Sequence, residues 1–248
     1  MQTVMNTAAA RAAAFSVPVP QATRTYGPVA NAELHAAVTQ RLNQRGFSIT
    51  NEQWDFSQKG QIALCVMHLG ANDKHNLKRT FAFMNSYNKM RRLSMASGAV
   101  VSVCSNGMFW GDEAVFQRKH HRNIWNQIMV AIDEQVDTME DNYKKLTRFK
   151  EASEFDMIGH DKIAQLMGKM YLSGLLTPRM LSTLKKEMSD SENFAFEVTD
   201  DGKFRVNSMW RFYNNCTEAL KRAPAHEYVK RHTDLTKTLI HARGYSLN

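Results

Sequence analysis

The sequence predicts an α+β fold, and three observations carry that reading. Strand-type alternation is concentrated before residue 116, and a helical period replaces it afterwards. No helical stretch between the early strands is long enough for parallel crossovers, so the sheet is expected to be mainly antiparallel. With 248 residues, 43% hydrophobic and 23% charged, the chain has ordinary globular usage and enough length to bury a core.

Residues 1–30 read as a flexible leader ahead of a single α+β domain over 31–248, sheet-rich over 31–115 and helix-rich over 116–248. The leader is Ala-rich, carries Pro18, Pro20 and Pro28, and has no acid before Glu33. Arg11 and Arg24 among Ser, Thr and Ala also match a transit peptide; the alternative is a segment that docks on the body or a neighbouring subunit.

Asn31 reads as the N-cap of a helix through Arg45 that Gly46 stops. Strand alternation follows at Phe47, Ile49, Trp54 and Phe56, then a turn at Gln58-Lys59-Gly60 and a strand from Ile62 to Met67. A polar loop from Gly70 to His75 precedes strands at Thr80–Met84 and Ala99–Cys104, and Asn106-Gly107 reads as a turn needing positive φ. From Phe116 the period changes. Met129, Ile132, Val136, Met139, Tyr143 and Leu146 form a heptad-like stripe on one long amphipathic helix, packed across the sheet or against another subunit. With the leader, this stripe makes a homo-oligomer the expectation. A helix over Met157–Leu172 comes next, and Thr177-Pro178 opens another. Phe194–Val198 and Lys203–Val206 read as a hairpin; Asn207 or Ser208 caps a helix to Arg222, Pro224 breaks it, and a last helix runs from Ala225 to Arg243.

Several function classes find no support. No apolar run approaches the ~18 residues of a membrane span. Cys65, Cys104 and Cys216 are too few and too scattered for a disulfide framework, which suits a reducing, cytoplasmic compartment. Adjacent His120-His121 cannot easily share one ion, and His68, His75 and Cys65 match no zinc spacing. Asp112-Glu113 read as complements to a helix N-terminus. No phosphate-binding loop or nucleophile elbow is present, so neither a catalytic constellation nor a cofactor is expected.

Charge is more informative. The net of +8 divides into +7 over residues 1–111, −4 over 112–161 and +5 over 162–248. Three basic groups stand out: Lys74, Lys78 and Arg79; Lys89, Arg91 and Arg92; and Arg118, Lys119, His120 and Arg122, placed at the start of the long helix. Tyr87, Phe109, Trp110 and Trp125 are interleaved with them, although Phe109 and Trp125 read equally well as core. Cationic rails with aromatic platforms fit single-stranded DNA, whose phosphates take the charges while bases stack on rings. The runner-up is a protein-binding factor that acts on a host protein, its basic surface complementing an acidic partner.

The run Phe83-Met84-Asn85-Ser86-Tyr87-Asn88-Lys89, the run from Ser97 through Cys104, Asn106, Gly107 and Gly111 to Asp112, and Arg118-Lys119-His120 resemble a phage- and plasmid-type domain-of-unknown-function family. Trp210, Tyr213, Asn214 and Thr217 resemble that family's Trp-x-x-Tyr-Asn-x-x-Thr stretch, and the similarity extends over about 26–240. Tyr87-Asn88 stand where the family usually has His-Asp. The resemblance implies a bacterial host cytoplasm and no settled activity. Short strands followed by a long helix are also similar, at the level of fold, to single-strand-annealing recombination proteins, which implies annealing or protection of single strands by an oligomer.

Overall fold

A computed structural model describes residues 7–70, 76–101, 106–109, 115–121, 123–189 and 207–245. The expected hairpin over 194–206, the segment with Asp112-Glu113, and Lys74, Cys104, Trp110, Gly111 and Arg122 lie outside these residues. The fold is α+β. After helices α1 (Thr7–Ser16) and α2 (Asn31–Gln44) come six strands: β1 (Ile49–Ser57), β2 (Ile62–Leu69), β3 (Leu77–Ser86), β4 (Leu93–Val101), β5 (Asn106–Phe109) and β6 (Val115–Arg118). Helices α3 (Ile124–Asp137) and α4 (Met139–Phe155), the short strand β7 (Met157–Ile158), α5 (His160–Leu172) and α6 (Pro178–Ser189) follow. The chain ends with β8 (Asn207–Ser208), α7 (Met209–Leu220), a 3-10 turn (Ala225–Glu227) and α8 (Tyr228–Arg243).

The main sheet runs β1-β2-β3-β4-β5, every pair antiparallel. Two short strands share the outer edge of β4: Leu93–Ala96 pair with β6, and Gly98–Val101 pair with β5. The partition needs a glycine. A Cβ on Gly98 would stand 2.1 Å from the Met108 carbonyl oxygen and 2.8 Å from Phe109 Cδ1.

Both faces of the sheet are covered, so its central strands are apolar on both sides rather than alternating. One face packs Cys65, Met67, Phe81, Phe83, Leu93 and Met95 against Leu34, Val38 and Leu42 of α2 and Ile124, Ile128 and Ile132 of α3. The other packs Ile62, Leu64, Val66, Ala82, Met84 and Ala96 against Phe109, Ala225 and Val229. A further core joins α4 through α8, with Phe149, Phe212, Tyr213 and Leu235 buried in it.

Several expectations are corrected. The segment read as a flexible leader contributes α1, which buries Ala10 and Ala14 and donates from Thr7 Oγ1 to the Glu52 carbonyl on β1. Asn31 is not the N-cap of α2; Ala30 occupies that position, and the Asn31 side chain donates instead through Nδ2 to the Ala14 carbonyl oxygen at 3.0 Å. Asn106 and Gly107 are strand residues paired with Val101 and Val100 rather than a turn. The basic residues assigned to a helix start are not helical: Arg118 ends β6, Lys119 to His121 link it onward, and α3 begins only at Ile124.

The long helix is two helices. Thr138 returns its hydroxyl to the Glu134 carbonyl at 2.9 Å, the back-bonding that bends helices, and α4 restarts at Met139. The bend splits the stripe: Ile132, Val136 and Met139 join the sheet core, whereas Tyr143 and Leu146 join the helical core. Its apolar side chains pack into these two cores, with Met129 partly buried at the edge of the first.

Candidate functional site

The best-organised polar region sits where β3 turns into β4. The Asn85 amide uses its whole hydrogen-bonding capacity there. Nδ2 donates to the Val29 carbonyl at 2.7 Å and to Asn31 Oδ1 at 2.8 Å, while Oδ1 accepts from the Ser86 amide at 3.0 Å. His120 Nε2 lies 3.0 Å from the same oxygen, so it is the donor. Burial lowers the His120 pKa to about 4, which keeps the ring neutral. Tyr87 is buried beside them, its hydroxyl accepting from the Asn31 amide at 2.8 Å. Ser86 Oγ donates to Asn88 Oδ1 at 2.8 Å, and that oxygen also accepts from the Met90 amide. Lys89, at φ +60, lays its ammonium 4.4 Å from the Tyr26 ring centroid.

These contacts fix the turn that presents Arg91 and Arg92. Both are exposed, and neither forms an ion pair among the described residues. They face the start of α8 across a cationic groove. Its inner part, about 270 Å³, has Met84, Ala225 and Val229 as an apolar floor, with Arg91, Arg92, His226 and Lys230 around it. Its outer part, about 510 Å³, continues past Arg91 and Lys230 to Arg231, Asp234 and Lys237. Five cationic side chains thus meet two carboxylates, Glu227 and Asp234.

Those carboxylates are already engaged. Glu227 holds Arg231 at 2.7 Å, and Arg231 also donates to the carbonyls of Gly174 and Leu175, so it braces α8 rather than facing a ligand. Asp234 pairs with Lys230 in an exposed contact of little net strength. His226 Nδ1 lies 3.3 Å from Ser57 Oγ. Burial, and then the Arg91 charge, lower the His226 pKa.

No protein-family model, curated protein or solved structure matches this chain.

The predicted basic groups converge only in part. Arg91 and Arg92 line the groove, and Arg118 brings Lys119 alongside through its pairing with Leu93. Lys78 and Arg79 stand at the other end of β3, about 24 Å away at ~3.4 Å per residue. Arg79 is committed there: Nε and Nη2 clamp the Glu140 carboxylate at 2.6 and 2.9 Å, and its guanidinium lies 4.1 Å from the Tyr143 ring centroid. Of the aromatic platforms, Tyr87 and Phe109 are core and Trp125 is half-buried. His120 is buried and neutral, not a surface cation. Sequence reasoning missed His226, Lys230 and Lys237, which lie more than a hundred residues from Arg91; the pattern of α8 marks a helix but not its neighbour.

The remaining motif residues pack. Trp210 stacks on Tyr213 at 5.5 Å, Asn214 donates to the Trp210 carbonyl at 2.8 Å, and the Tyr213 hydroxyl meets Thr236 Oγ1 on α8. Burial raises the thiol pKa of Cys65 and of Cys216, which leaves both unreactive. Among the described residues no cluster of His, Cys, Asp or Glu fits a metal ion, and no helix is long and apolar enough to cross a membrane.

Proposed function

We propose that the protein binds nucleic acid, single-stranded DNA in preference, with the groove between the β3–β4 turn and α8 as the contact surface. The observation that carries the reading is the exposed Arg91-Arg92 pair, without an ion-pair partner among the described residues, facing Lys230 and Lys237 across the groove. Exposed cations gathered at one turn form a standing positive potential, and a phosphate backbone is the polyanion that binding by counterion release favours. Lys119 extends the same edge. The Asn85–Asn88 motif then acts as the scaffold of the turn, not as a reactive group.

Fluorescence anisotropy of a labelled single-stranded oligonucleotide, titrated between about 50 and 200 mM salt, tests the reading. The expected result is a linear fall of log affinity with log salt at a slope of about −2 to −3, for three to four phosphates at about 0.7 each. Absence of binding at the lowest salt, or affinity indifferent to salt, overturns it.

A further inference from the structure

The inner part of the groove differs from the rest in a way that phosphate binding alone does not use. Its floor is apolar: Ala225 of the 3-10 turn and Val229 from the start of α8 pack on Met84 of β3. Cations flank that floor on two sides, Arg91 and Arg92 from the turn and Lys230 from α8. The His226 ring borders it, held by Ser57. A purely phosphate-binding cleft has no need of an apolar floor, because a phosphate gains nothing from losing water there. An occupant matched to all of these groups has a flat apolar centre with an anion on either side.

We infer that this pocket takes one unpaired base of the bound strand, the flanking phosphates resting on Arg91-Arg92 and on Lys230. The inference rests on the nucleic-acid reading and deepens it, because it makes the site selective for single strands. In a duplex each base is stacked and paired, so the pocket stays unfilled while the rim still meets phosphates. A capacity of about 270 Å³ lies just below the ~300–1,000 Å³ of small-molecule pockets, which suits one heterocycle rather than a longer segment. The apolar floor discriminates base from solvent, not one base from another, so sequence preference is weak.

The full-length protein is titrated with three probes of equal length at one salt concentration: a mixed-sequence single strand, an abasic deoxyribose-phosphate strand and a duplex. The base-bearing strand is expected to bind at least about ten-fold more tightly than the abasic strand, with a similar salt slope, since both carry the same phosphates. Val229→Phe, which fills the floor, is expected to bring the base-bearing and abasic strands within about two-fold of each other, and an undiminished ten-fold preference in a variant whose circular dichroism matches the parent's would also overturn the base pocket. Abasic and base-bearing strands binding within two-fold of each other would overturn the base pocket and leave the polyanion groove standing. Failure of all three probes to bind would overturn both.

Discussion

Asn85 Oδ1 and His120 Nε2 lie 3.0 Å apart, although the two residues are 35 positions apart in the chain. Their bond ties the end of β3 to the segment after β6, and the other atoms of the same amide hold Val29 and Asn31 on the approach to α2. Three parts of the chain therefore meet at one buried side chain, directly behind the turn that carries Arg91 and Arg92.

Replacing Asn85 with Ala leaves the Val29 carbonyl, Asn31 Oδ1 and His120 Nε2 buried without this partner. A loss of about 2–4 kcal/mol is expected, because several unsatisfied buried groups each cost about 1–3 kcal/mol and relaxation recovers part. Urea denaturation measures it; a loss below about 0.5 kcal/mol would show that the amide is not the junction described.

Acid should destabilise the fold before its carboxylates titrate. Burial lowers the pKa of His120 to about 4, and burial with the Lys78 charge does the same for His68, against about 6.5 in an unfolded chain. Between those values the unfolded chain binds more protons, so the stabilisation is complete above pH 6.5 and declines as pH falls towards 4. His120→Gln keeps a donor for Asn85 and removes the titration. Denaturation midpoints from pH 7 to 4.5 should fall less steeply for this variant, by about one proton.

Gly98→Ala places a methyl group 2.1 Å from a backbone oxygen that β-pairing holds in place. We expect a loss of at least about 3 kcal/mol, read as a lowered thermal midpoint, because overpacking against backbone cannot be relieved by a rotamer change.

Much of the fold was legible because local rules and tertiary packing agree. Gly46 at φ +80 ends α2, the residues Gln58-Lys59-Gly60 turn with positive φ, Thr177 Oγ1 caps the helix that Pro178 begins, and Ser208 caps α7. Where the two disagreed, the sequence misled. Val115–Arg118 is too short to show a period before a helix, and Val136, Met139 and Tyr143 continue an apolar stripe across the break at Thr138. Asn106-Gly107 carries turn chemistry, but Gly98 and β4 recruit it as a strand. Arg91 and Arg92 were visible as basic residues. Their neighbours on α8 were not, because only the sheet's second covering layer brings them close.

The salt dependence of single-strand binding in two variants tests the central claim most directly. Arg91→Gln/Arg92→Gln removes two groove cations, whereas Lys78→Gln removes one at the far end of β3. The double variant is expected to bind more weakly with every sequence and to flatten the log–log salt slope by about 1.4, two phosphates at about 0.7 each; Lys78→Gln should leave the slope unchanged. An unchanged slope in the double variant, or an equal loss in Lys78→Gln, would contradict the assignment of the groove.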